Sequence, residues 1–105
     1  MNYSEILKSL KKQLDLALPN KIDRIIFYGS RNEGNEHSDS DIDILVVLNE
    51  DFDWKVKDAI YDLCYELDLT YSLVSDIRVI SKFELEGIRG KQPYIMNALE
   101  NGVSA

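Results

Sequence analysis

Between Asp41 and Leu48 the chain reads Asp-Ile-Asp-Ile-Leu-Val-Val-Leu. No other stretch restricts the fold as tightly. A β-strand sends alternate side chains to opposite faces. Leu45 and Val47 therefore lie on one face and Ile44, Val46 and Leu48 on the other, so both faces need cover. The spacing predicts a central strand, not an edge strand. The same alternation sends Asp41 and Asp43 to one face at the strand's opening, about 7 Å apart. Two ionised carboxylates at that separation repel by roughly 2 kcal/mol at an effective dielectric of about 20, and an apolar neighbourhood raises the cost further. Either the pair points into solvent or a cation stands between its members.

The segments around this strand supply its cover. Tyr3, Ile6, Leu7, Leu10, Leu14 and Leu18 recur at steps of three and four, which is one face of a helix. Asn2 and Glu5 offer a capping box for it, and Pro19-Asn20 ends it. "IDRIIFYGS" reads as a strand stopped by Gly29-Ser30, and residues 31–40 form a polar loop containing Gly34. Residues 49–53 form a turn whose acids can cap a second helix, in which Val56, Ala59, Ile60, Leu63, Cys64 and Leu67 again have core spacing. "LTYSLVSDIRVI" alternates as a third strand. Ser81 and Glu84 make a capping box for a short helix, and "PYIMNALENG" gives a last helix that starts at Pro93 and stops at Gly102. The expected order is α-β-β-α-β-α-α in one domain, residues 1–105, with no repeat or linker to divide it.

Bulk properties exclude several function classes. The net charge is −7, and the only cluster of basic residues is "KSLKK", which argues against a long nucleic acid as partner. No run approaches the ~20 apolar residues of a membrane span, and the N-terminal segment mixes charge with apolar residues where a secretory leader would be continuously apolar. A cytoplasmic protein is expected. The single cysteine, Cys64, sits at a core position of a helix and reads as a small buried hydrophobe. His37 has no second histidine or cysteine near it in sequence and reads as a loop residue, not a zinc ligand. Trp54, Tyr61, Tyr65 and Tyr71 could stack a base, but the shared face of Tyr61 and Tyr65 points to cover for the sheet or a partner.

The acidic pair also has a particular neighbour. Gly29-Ser30 ends the preceding strand, and ten residues then lead to Asp41-Ile42-Asp43. A glycine there allows backbone N–H groups to approach a ligand, and the serine hydroxyl can donate to a phosphate oxygen. Facing it is an open carboxylate pair of the kind Mg²⁺ shares with substrate phosphates. A Walker loop would need Gly-Lys-Ser/Thr, but the chain's only Gly-Lys, Gly90-Lys91, is followed by Gln92.

"GSRNEGNEHSDSDIDILVV" resembles the signature of the DNA polymerase β-like nucleotidyltransferase superfamily, and of its minimal members in particular. The resemblance implies an α+β fold, a small mixed sheet packed by helices. It implies that Gly29 and Ser30 hold the β- and γ-phosphates of ATP or another nucleoside triphosphate, and that Asp41 and Asp43 are catalytic residues binding Mg²⁺ or Mn²⁺. Arg31 would neutralise phosphate charge and Ser40 would orient Asp41. The implied reaction moves a nucleoside monophosphate, AMP from ATP, onto a hydroxyl. Minimal members also resemble the antitoxin half of a pair with a helical HEPN-type toxin, which implies a protein acceptor; a homo-oligomer is the other expected partner. Two positions depart from the family pattern. Glu33 stands where many minimal members have a second arginine, and alignment through "LTYSLVSDIRVIS" puts Ser72 where a third carboxylate is expected. Asp76 has the same parity but lies four residues on. With Ser72 in that place, the alternative is a catalytically weakened nucleotide-binding or antitoxin module that acts by contact.

Overall fold

The computed structural model describes residues 3–28, 42–72, 74–87 and 91–104. The first helix, α1, spans Tyr3–Ala17 and buries Ile6, Leu7, Leu10 and Leu14 along one face, as the three-four spacing predicts. The chain turns through Asn20 at a φ of 63°, a left-handed conformation that asparagine tolerates well. The turn is pinned by Asn49, whose backbone N–H donates to the carbonyl of Lys21 and whose side-chain amide donates to that of Asn20.

Strands β1 (Ile22–Tyr28) and β2 (Ile42–Leu48) pair antiparallel. Helix α2 (Trp54–Tyr71) then crosses over to β3 (Ser75–Ser81), which runs parallel to β2. A short helix α3 (Lys82–Glu86) and helix α4 (Pro93–Asn101) lead to β4 (Val103–Ser104), which pairs antiparallel with β1. The sheet order is β3-β2-β1-β4. Every residue of β2 is buried, so the strand is central. Ile44, Val46 and Leu48 pack toward α1 and α2 in one core, and Leu45 and Val47 toward Ile95 and Ala98 of α4 in the other. A shift of register at Asp23 lets Ile22 join the α1–α2 core with Ile25 and Phe27, although strict alternation would have sent it to the other face.

The expected third strand needs correcting. Residues 69–71 are the last turn of α2, and Ser72 is its C-cap at φ 54°, ψ 46°, with its N–H donating to the carbonyl of Asp68. Tyr71 packs against the α1–α2 core, so helical spacing continues one turn beyond Leu67. Ser75 is tied back to the helix, donating from its hydroxyl and its N–H to the Asp68 carboxylate at 2.7 and 3.2 Å. At the other helix ends the caps match expectation. Asp53 accepts from the N–H groups of Lys55 and Val56, Ser81 and Glu84 form the capping box, and Pro93 opens α4. The capping box foreseen at Asn2 lies outside the described residues. The strand β4 was not foreseen; two residues carry too little pattern to announce one.

Candidate active site

At one end of the sheet β1 finishes while β2 and β3 begin. Asp43 on β2 is there flanked by Tyr28 of β1 and Asp76 of β3, its register partners on either side. Side chains of directly paired residues share a face, so Asp76, Asp43 and Tyr28 form a row across three strands. The row lies on the face that Leu45 shares with α4. Neighbouring strands stand about 4.8 Å apart, so the two aspartates are adjacent across the sheet. Only 7% of Asp43 is exposed, whereas the Asp76 side chain is 47% exposed and has the Arg78 guanidinium 3.6 Å away. Arg78 pairs with Leu45, one step deeper on the same face as Asp76.

At that spacing two carboxylates repel by about 3 kcal/mol at an effective dielectric of 20. Arg78 and the half-exposure of Asp76 offset part of this cost. Such a pair fits a hard divalent cation, which takes carboxylate oxygens and keeps positions open for phosphate. Among the described residues no group of three or more His, Cys, Asp or Glu side chains is gathered for a metal; Asp43 and Asp76 are two. Asp41, Gly29, Ser30, Arg31 and Ser40, named from the sequence, lie outside the described residues, as do Glu33 and His37. Tyr28, the register partner of Asp43, is the residue directly before Gly29.

Ser72 does not reach this row. It caps α2, and the residue beside Asp43 is Asp76. A sequence signal for this existed: Ile60, Cys64, Leu67 and Tyr71 continue the four-three-four spacing, which carries the helix past Leu69 and delays the strand. Tyr61, foreseen as cover for the sheet or a partner, donates its hydroxyl to the carbonyl of Ile77 at 3.2 Å. Tyr65 and Trp54 face outward. Cys64 is buried, as expected; burial, with a smaller contribution from the Asp68 charge, pushes its thiol up to about 12, so it is no nucleophile at neutral pH.

The sequence profile of the family described as "Nucleotidyltransferase domain" matches residues 3–104. The chain belongs to that family. Two curated proteins of Methanocaldococcus jannaschii, both named "Putative protein adenylyltransferase", are similar to it. One is 34% identical over 97% of this chain and 96% of its own length, the other 32% identical over 70% and 75%. The helix-covered mixed sheet agrees with the polymerase β-like nucleotidyltransferase fold, and nucleotidyl transfer is the activity that goes with the family. Among the described residues no helix of this nucleotidyltransferase is long and apolar enough to cross a membrane.

Proposed function

We propose that this nucleotidyltransferase moves AMP from ATP onto a hydroxyl of a polypeptide acceptor, with Asp41, Asp43 and Asp76 as its carboxylates. The observation that carries the reading is the register of β3, which sets Asp76 beside Asp43. Gly29 and Ser30 follow Tyr28 directly and suit the β- and γ-phosphates, with Arg31 offsetting their charge and Ser40 orienting Asp41. A bound Mg²⁺ or Mn²⁺, held by the aspartates, would supply the positive charge that lets carboxylates and triphosphate share one cleft. The acceptor oxygen bonds to the α-phosphorus as the bond to the pyrophosphate oxygen breaks, and the hydroxyl proton passes to a carboxylate oxygen. Asp76, the more exposed of the described pair, is the one an incoming hydroxyl can reach.

Adenylyl transfer to protein is supported by the names of the two relatives. A helical HEPN-type toxin as acceptor, and with it an antitoxin role in the cytoplasm, extends this reading from the family resemblance. The contact-only alternative drew on Ser72 in place of a carboxylate. With Ser72 at a helix cap, its remaining support is Glu33 in the phosphate loop.

The test is transfer of label from α-labelled ATP, with Mg²⁺, to a co-expressed helical partner. Asp43→Asn and Asp76→Asn should each lower the rate by about 10²-fold or more. Transfer that is unaffected by both substitutions overturns the assignment, and so does wild-type protein that shows no calorimetric binding of Mn²⁺ and ATP.

A further inference from the structure

The outward face of α2 is more apolar than an exposed helix face needs to be. Trp54, Tyr65 and Leu69 are 68%, 64% and 65% exposed, and at 100° per residue they fall within an arc of about 60°. The helix packs into the core on its opposite side, through Ile60, Cys64 and Leu67, so this stripe contributes nothing to the interior. Asp58 falls within that arc and Asp62 about 20° beyond it. The basic residues of α2, Lys55 and Lys57, are confined to its first turn, and from Asp58 onward the helix carries only acids: Asp58, Asp62, Glu66 and Asp68. Beside the stripe, a groove runs between Tyr61 and Tyr65 of α2 and residues 75–78 of β3. Its lining ends at the β3 edge and includes Asp76, which belongs to the acidic row on the opposite, α4-covered face of the sheet, so a chain docked here meets that row by passing round the β3 edge.

We propose that this face and groove are where the acceptor polypeptide docks, and that it docks through a basic amphipathic segment. The inference rests on the transfer reading above for the role of the docked chain, and on α2 and β3 for the surface. Charge selects the occupant. A second copy of the chain carries a net charge of −7, with one short basic cluster at Lys8, Lys11 and Lys12, whereas a segment with lysines and arginines alternating with apolar residues along its whole length answers both the aromatic stripe and the carboxylates. Aromatic rings here already take cations: Lys55 Nζ stands 5.8 Å from the centre of the Trp54 ring and Lys57 Nζ 5.8 Å from that of Tyr61. Addition of the partner as a further strand is disfavoured. On β3 the Ser75 N–H, the Ile77 carbonyl and the Ser81 N–H are taken by Asp68, Tyr61 and Glu84, which blunts the edge. The segment therefore meets the helix face through side chains.

Trp54 is the chain's single tryptophan and reports on this surface. The probe is a synthetic amphipathic helix with lysine and leucine at helical spacing, one tyrosine and no tryptophan. Titrating it into the full chain should shift Trp54 emission to shorter wavelength, with an affinity that falls as salt rises. Leu69→Ser and the double change Asp58→Lys, Asp62→Lys should each weaken binding about tenfold or more. Leu69 is exposed, so the variant should keep the wild-type melting curve and wild-type calorimetric binding of Mn²⁺ and ATP. Absence of a shift overturns the proposal, as does an equal response to the matching glutamate-leucine helix. A shift produced by raising protein concentration alone assigns the face to self-association, and one produced by ATP alone assigns it to the base; either overturns it. If the wild type binds the lysine helix but not ATP, the transfer reading falls and the surface stands. If it binds ATP but not the helix, the reverse holds.

Discussion

Asp76 and Ser72 differ by one turn of chain and by everything that matters for chemistry. Ser72 occupies the left-handed region at φ 54°, where a Cβ is unfavourable and glycine is not. Ser72→Gly should therefore stabilise the protein by about 0.5–1 kcal/mol in urea unfolding and leave nucleotidyl transfer unchanged. A third-carboxylate position would give the opposite pattern. Asp76 sits in the row with Asp43. Asp23 shows how the fold treats a charge it keeps for structure. Partial burial pushes its carboxyl up, but hydrogen bonds and charge from Arg24 and Lys82 outweigh this and hold it below its ordinary value. Lys82 reaches it at 3.3 Å, tying the start of α3 to β1. Asp43 and Asp76 are register partners on adjacent strands, and Asp76 has Arg78 3.6 Å away.

Elements place these residues through a few close approaches. Gly102 is one of them: a Cβ there would run into Ile26 Cγ2 and the Ala98 carbonyl, and would lie 3.0 Å from the Phe27 carbonyl. α4 can settle on β1, and β4 can pair beyond it, only because this residue has no side chain. Gly102→Ala should cost about 1–3 kcal/mol, read as a lower urea midpoint, and should loosen the cover over the face that carries Asp43. At this scale most of the structure was legible. α1, β1, β2 and α3 follow from periodicity and capping signals that lie within each segment. The end of α2 was misread because "LTYSLV" alternates like a strand while its first three residues also continue a helical spacing; packing of Tyr71 and the Asp68–Ser75 bonds favour the helix.

Across the whole molecule, two cores meet on the two faces of one sheet, and the acidic row opens at the sheet's end. Like charges held together by a fold lower its stability until a cation binds. A bound Mn²⁺ and ATP at about a hundredfold over Kd should raise stability by about 2.7 kcal/mol, seen as a higher melting temperature. Asp76→Asn relieves the repulsion from Asp43 but gives up the Arg78 ion pair, so its melting temperature without metal should change little, and it should lose most of the metal-dependent rise. A wild-type rise retained in full by Asp76→Asn would remove Asp76 from the site.

The sequence by itself determined that β2 is central, because five consecutive apolar side chains leave no face for water. It also determined the helices flanking β2, and it carried the Gly-Ser and Asp-x-Asp spacing that resembles the nucleotidyltransferase signature. Only the tertiary structure decided which acid stands beside Asp43. Register between β2 and β3 is set across a helical crossover, by packing and pairing between residues over thirty positions apart. Shifting the start of β3 changes which side chain meets Asp43 while barely altering the local pattern that a sequence displays.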